Sequence, residues 1–175
     1  MNHIHYQCLD ASQATAELTS LVHVLSACVA QDASVGFISL DPQPMRTFWQ
    51  GVVSSLASGE QQLLVARQNG TLVGTVIVGL GMMPNGQHRA EIAKLLVHPH
   101  ARRQGIARAL LDGAEALARQ AGRTLLVLDT RSGDVAEHIY RRAGWQVSGQ
   151  IPRYALSPAG VLDATTVMYK FLSPA

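Results

Sequence analysis

Apolar positions recur along this chain with two spacings, one helical and one alternating, and the switches between them mark out the elements. Residues 3–9 alternate in the manner of a first strand. From Ser12, a candidate N-cap, Leu18, Leu21, Val22, Leu25 and Val29 recur at helical spacing. Residues 32–44 lose that period among Ser, Gly, Asp and two prolines, which predicts a loop. A second helix then shows one stripe of Met45, Phe48, Trp49, Val52, Val53 and Leu56, and Gly59 closes it. Two strand-like runs, 62–67 and 72–80, are joined by Asn69-Gly70, a dipeptide that favours the positive φ angles of a type I′ hairpin. Pro84-Asn85-Gly86 predicts another turn, and residues 89–97 a third run, which together make a meander.

The second half alternates between helix and strand. Residues 104–121 carry Ile106, Leu110, Leu111, Ala114, Leu117 and Ala118 on one face. Residues 124–128 are continuously apolar, as in a strand covered on both sides. Residues 135–143 read as a short helix, 145–149 as a strand, 152–160 as a Pro/Gly-rich link, and 165–172 as an alternating final strand. The order strand, two helices, three strands, helix, strand, helix, two strands predicts one mixed α/β (α+β) domain over residues 1–175, with no repeat and no internal linker.

Composition narrows the function classes. The chain has 175 residues, 47% hydrophobic and 15% charged, which suits a compact core rather than disorder. A net charge of +2 without a clustered basic face gives no footing for nucleic acid. The longest apolar run, 72–83, holds three glycines and falls short of the ~20 residues of a spanning helix, so no membrane segment is expected. The opening MNHIHYQCLDAS lacks a basic stretch followed by an apolar one. Cys8 and Cys28 lie among apolar residues and are expected as reduced, buried thiols of a cytoplasmic protein. The seven histidines have no metal-ligand spacing, with His3/His5 terminal and His98/His100 flanking a loop, so no metal is expected.

The candidate chemistry centres on residues 95–107, where a strand ends, Pro99 stops it and a helix opens near Gln104. The first turn of a helix carries N–H groups without internal partners, and its dipole adds positive potential. Gly105 removes a side chain where an anion would approach, Ala107 stays small, and Arg102 and Arg103 add two cations at the mouth. No Gly-Lys-Ser/Thr follows, and no G-x-G-x-x-G follows the first strand, so neither nucleotide fingerprint applies.

The run AEIAKLLVHPHARRQGIARALLDGAE resembles the core motif of the GNAT superfamily of acyl-CoA N-acetyltransferases, whose signature is Gln/Arg-x-x-Gly-x-Gly/Ala. The run DVAEHIYRRAGWQVSG resembles the same family's short helix bearing a Tyr before a Gly-aromatic strand. Within the superfamily, residues 33–37 (ASVGF), 84–86 (PNG), 89–91 (RAE), 128–130 (LDT) and the tail 152–172 look like the tabtoxin-resistance acetyltransferases. The resemblance implies a mixed, largely antiparallel sheet flanked by about four helices, with acetyl-CoA as cosubstrate. It also implies a small amine-bearing acceptor, such as a tabtoxinine-β-lactam-type toxin. Two other acceptors stay open, a protein N-terminus or a polyamine, and so does a non-catalytic acyl-CoA-sensing module. The oligomeric state is open too, although the family often forms homodimers.

Residue by residue, the resemblance assigns coenzyme contacts to Leu95, Leu96, Val97, Arg102, Arg103, Gln104, Gly105, Ile106 and Ala107. Ser132 and Ala136 join them, because the Asn that the family often has seven residues before the Tyr is here Gly133. Asp134 reads better as a helix cap. Tyr140 takes the general-acid position, since a phenol of pKa ~10 can protonate a thiolate near ~8.5. Glu91 interrupts an apolar strand and Asp129 ends the next one. If those strands splay, the two carboxylates face one cleft, and either could serve as base. The alternatives are plain ion pairs of Glu91 with Arg89 or Lys94, and of Asp129 with an Arg. Regular strand parity sets Glu91, Ala93, Leu95 and Val97 on one face and Lys94 on the other, unless a bulge intervenes. Acceptor contacts are expected from loops, with Phe37, Arg153 and Tyr154 as candidates.

Overall fold

The computed structural model describes residues 3–174. Strands β1 (Ile4–Leu9), β2 (Gln61–Gln68), β3 (Thr71–Gly79), β4 (Arg89–Val97), β5 (Leu125–Arg131), β6 (Gln146–Leu156) and β7 (Leu162–Phe171) form one sheet in the order β1-β2-β3-β4-β5-β7-β6. Every neighbouring pair is antiparallel except β4 and β5. The helices are α1 (Ala11–Ala16), α2 (Leu18–Ala30), α3 (Pro42–Ser58), α4 (Ile106–Gln120) and α5 (Val135–Arg142). α2 and α3 cover one face, where Leu21, Leu25, Trp49, Leu63, Ile77 and Leu96 are buried together. α4 and α5 cover the other, around Ile106, Leu110, Leu111, Leu126, Tyr140 and Trp145. The mixed, largely antiparallel sheet expected from the sequence is therefore present, with five helices instead of about four.

Each difference from the expected boundaries has a local cause. The first helical stretch is two helices, because Asp10 rather than Ser12 caps α1 through a capping box with Gln13, and the chain leaves helical geometry at Glu17. α3 starts inside the predicted loop, since Asp41 caps it and Pro42 occupies the first turn, where a missing N–H is harmless. Gly59 is its left-handed C-cap, as predicted. Asn69 and Gly70 have φ of 50° and 84°, which closes the β2–β3 hairpin. β6 runs on through Pro152 into the predicted link. That is tolerated because β6 is an edge strand whose register slips between Ile151 and Ala155. Cys28 is buried as expected, but Cys8 is exposed, since it lies on the edge strand β1.

Two features of the fold set the site. Opposite β3, the step from Thr75 to Ile77 spans Leu96 to Ala93, so β4 carries one extra residue. The bulge centres on Lys94, whose φ is 51° and whose carbonyl accepts from Thr75 Oγ1 at 2.8 Å. That backbone costs a residue with a Cβ about 1 kcal/mol. The second feature is the close docking of α4. A Cβ on Gly113 would stand 2.5 Å from Leu64 Cδ2, so a side chain there requires Leu64 to change its packing between α4 and β2.

α4 is also held by a buried ion pair. Glu115 accepts from Lys170 Nζ at 2.9 and 3.1 Å and from Trp145 Nε1 at 3.3 Å, while Lys170 also donates to the Ala143 carbonyl at 2.6 Å. The network joins α4 to β7 and to the turn after α5. Removing one partner of such a pair leaves an uncompensated buried charge and an orphan indole N–H. Glu115→Ala should cost about 3 kcal/mol, which for a chain of this size lowers the melting temperature on the order of 10 °C. A thermal melt that shifts by less than a degree would remove this network from the account.

Candidate functional site

The loop after β4 departs from regular geometry twice. Arg103 and Gly105 both have positive φ, at 60° and 76°. Gly105 is the N-cap of α4 and offers no side chain to its first turn, and a Cβ built there meets nothing within 4 Å. The N–H groups of that turn therefore stay available to an outside acceptor, in open space. Arg102, Arg103, Gln104 and Gly105 are exposed, Ala107 is partly so, and Ile106 is buried beneath them as an anchor. Arg102 Nε folds back onto the Val97 carbonyl at 3.3 Å, and Gln104 Oε1 accepts from Gln68 Nε2 at 2.8 Å. The segment read from the sequence is thus an open, uncapped helix start with exposed Arg102 and Arg103 beside it, and a diphosphate fits that chemistry.

Behind the loop, three rings meet in series, the first pair stacked and the second edge-on. His23 lies 5.1 Å from His98, and His98 lies 5.2 Å from His100. Burial above all, and then the proximity of His23, His100 and Arg102, push His98 below its ordinary value. The ring is therefore neutral at pH 7, which suits Nδ1 as acceptor of the His100 N–H at 3.2 Å. Cys28 Sγ donates to the Val97 carbonyl at 3.5 Å, and burial pushes its thiol up despite the nearby Arg102. Among the described residues no group of three His, Cys, Asp or Glu converges as a metal site.

β4 and β5 part after a short shared ladder. Their parallel pairing covers only Arg89↔Leu125, Ala90↔Leu126 and Glu91↔Val127, after which β4 follows β3 and β5 follows β7. Glu91 stands at the last shared pair and Asp129 two residues beyond it, both exposed. Neither forms an ion pair within 4.0 Å among the described residues, so the plain ion-pair alternative does not hold. Asp129 Oδ2 accepts instead from Thr165 Oγ1 at 2.8 Å. Tyr140 reaches the same region from α5. It is 6% exposed and lies 5.6 Å from the Trp145 ring, and burial, aided by the charge of Asp129, pushes its phenol far up.

The bulge changes the parity of β4. Ala93 and Leu96 pack towards α2 and α3, whereas Leu95 and Val97 pack on the α4 side. Lys94, expected opposite Glu91, sits over the Phe48 ring of α3, with Nζ 4.9 Å from its centroid. It is a residue that parity alone misplaces. Burial lowers its pKa, and the charges of Asp129 and Glu91 oppose that shift, so all three groups share one field. Of the predicted contacts on β4, Leu95 and Val97 are partly exposed, and Leu96 is buried in the α2/α3 core.

The β5–α5 loop is held internally. Ser132 Oγ hydrogen-bonds Thr166 Oγ1 at 2.8 Å, and Gly133 N–H donates to Glu137 Oε2 at 2.8 Å. Glu137 is buried, and that backbone N–H, more than Arg141, keeps its carboxyl below the usual range. Asp134 caps α5 on Val135 N–H at 3.0 Å and pairs with Arg131 at 3.2 Å, as its reading as a cap predicted. Ala136 is partly buried against the α4-side core, whereas Val135 is 71% exposed.

Phe37 is partly buried and meets Phe48 edge-on at 5.9 Å, which brings it into line with Lys94. Arg153 and Tyr154 lie on β6 at its register slip, with Arg153 at φ 53° and Tyr154 54% exposed. Sequence reasoning missed Arg131, which pairs with Asp32, Asp134 and Asp163 at 3.3, 3.2 and 3.5 Å and lines a cavity with Ser157 and Val161. A separate cavity against β1, lined by Cys8, Asp10 and Gln62, holds none of the predicted residues.

Comparison with known proteins agrees with this geometry. The chain is 32% identical over 107 residues to the IAA acetyltransferase of Azospirillum brasilense, covering 61% of this chain and 68% of that protein. Its fold matches yncA of Salmonella typhimurium, solved with acetyl-CoA, at a TM-score of 0.80 and 19% identity over 99% and 96% of the two chains. It also matches the GNAT superfamily phosphinothricin acetyltransferase of Sinorhizobium meliloti at a TM-score of 0.77 and 17% identity, over 97% and 89%. The model of the acetyltransferase (GNAT) family covers residues 36–145. With more than half of its length matched, and with the anion cradle and the parted strands inside the matched span, this chain belongs to the acetyltransferase (GNAT) family and is an acyl-CoA-dependent N-acetyltransferase.

Proposed function

We propose that the chain, as one domain over residues 1–175, transfers the acetyl group of acetyl-CoA directly to the amine of a small molecule held where β4 and β5 part. The observation that carries this reading is the placement of Glu91 at the last pair shared by β4 and β5, with Asp129 two residues beyond on β5 and acting on the buried Tyr140, while the segment Arg102 to Ala107 follows the same β4. The diphosphate takes the open first turn of α4, with Arg102 and Arg103 at its mouth. Backbone groups of Leu95, Leu96 and Val97 then lie along the pantetheine arm and polarise the thioester carbonyl. Ser132 and Ala136 flank the arm from the other side.

In the transfer, the amine nitrogen bonds to the thioester carbon and the carbon–sulfur bond breaks. The Tyr140 hydroxyl gives its proton to the departing thiolate. The proton shed by the new ammonium passes to Glu91 or Asp129, directly or through one water. A phenol held protonated by burial suits the first role, and an exposed carboxylate the second. The acceptor we favour is a toxin of the tabtoxinine-β-lactam kind. Its support is the similarity of residues 33–37, 84–86, 89–91, 128–130 and 152–172 to the enzymes that resist it.

Three measurements bear on these roles. Acetyl-CoA should raise the melting temperature of the protein, and the double change Arg102→Ala/Arg103→Ala should weaken that stabilisation at least tenfold in half-saturating concentration; equal stabilisation of both proteins removes the cradle. Tyr140→Phe should bind acetyl-CoA normally and lose about 100-fold in kcat. Because the phenol's pKa is raised, the acid form persists throughout neutral pH, and the wild-type rate should not fall through its ionisation below about pH 10. Full activity of Tyr140→Phe ends its role as acid. For Glu91→Gln, the rate lost at pH 7 should return as pH rises and the acceptor supplies its own free amine; a wild-type pH profile would falsify the base.

A further inference from the structure

Lys94 is the cleft residue that the reaction above leaves unused. The bulge reverses the alternation of β4 after Ala93 and so carries Lys94 to the face of Glu91, against α3. Its Nζ makes contact with the Phe48 ring, and Phe48 in turn meets Phe37. Among the described residues no carboxylate lies within 4.0 Å of this ammonium, and it donates no hydrogen bond. Glu91 and Asp129 act on it through space only. The side chain is partly buried while Nζ stays open to solvent, so an anion arriving there would meet a cation with no competing carboxylate in contact.

The cleft thus presents two carboxylates, which suit the acceptor's nitrogen, and one ammonium with its donors free. A polyamine would meet Lys94 as a like charge. An acceptor with a carboxylate near its amine would satisfy both signs at once. We infer that Lys94 is a specificity-determining residue that pairs with a carboxylate of the acceptor, so that the substrates are amino-acid-like zwitterions. This rests on the reading of the cleft as the acetyl-transfer site.

The test uses matched acceptors, each an amino acid and the amine left by its decarboxylation, with thiol release as readout. Wild-type kcat/KM should favour the carboxylated member of a pair by at least tenfold, chiefly through KM. In Lys94→Met and in Lys94→Asn, which tolerates the left-handed backbone, that ratio should fall towards one, and Lys94→Arg should keep part of it. A merely structural role would lower both members together and leave the ratio intact, which would overturn the inference. So would a wild-type ratio of one or below, a result that needs no variant to fold. Transfer to the decarboxylated amines with no preference leaves the transferase reading standing while this one falls. Acetyl-CoA binding without transfer to any amine of the panel overturns both.

Discussion

β4 and β5 run parallel in a sheet that is otherwise antiparallel, and their shared ladder stops after Glu91 and Val127. Parallel neighbours are pulled together only as long as their hydrogen bonds continue. Here each strand has a better partner on its outer side, β3 for one and β7 for the other. The two diverge, and a cleft opens without any loss of core, because Leu126 and Leu128 still pack under α4 and α5. Glu91 marks where the divergence begins and Asp129 lies just beyond it on β5; both act through space on Lys94, and Asp129 also acts on the buried Tyr140 of α5.

The bulge and the docking of α4 act together on the upper wall. One extra residue in β4 sends Leu95 and Val97 towards α4 and Leu96 towards α2 and α3. The same strand end is gripped by Cys28 and Arg102, which both donate to the Val97 carbonyl. The cradle is therefore tied to the strand that precedes it, and Ile106 and Gly113 tie it to the sheet below. A loop with two left-handed residues and no capping side chain would fray if only its own sequence held it. Packing on both sides keeps its N–H groups aimed at one place.

How much of this was legible in the sequence depends on the range of the interaction. The cradle was legible because its parts are contiguous: Pro99, the two arginines and Gly105 each have a local meaning. Glu91 and Asp129 could be named because each breaks an apolar run, and such breaks need a reason wherever they occur. The face of Lys94 could not, since a bulge depends on the register with β3 and leaves no mark in residues 89–97 themselves. Arg131 was unreadable for a similar reason. Its partners Asp32 and Asp163 reach it only after the α2–α3 loop and β7 have met the end of β5. Arg153 and Tyr154 show the opposite error, since Pro152 read as a link although an edge strand can accommodate it.

The Arg131 cluster shows how the loop between α2 and α3 is held to the far end of the sheet. One guanidinium, 17% exposed, draws together carboxylates from three segments, Asp32 before the acceptor loop, Asp134 at the head of α5 and Asp163 on β7. Asp32 takes φ of 63° on that loop, in a conformation that Asp tolerates better than most residues. These contacts are polar and partly open to water, so each is individually weak. Residues 33–40 hang between this cluster and α3, with Phe37 pinned to Phe48 while Ile38 and Leu40 stay about half exposed. A segment held at two points over a rigid sheet can change its sequence between them without disturbing the cleft. The loop before α4 differs, because it is packed from both sides: Ile106 is buried beneath it, and Cys28 and Arg102 both hold the Val97 carbonyl at the strand end that precedes it.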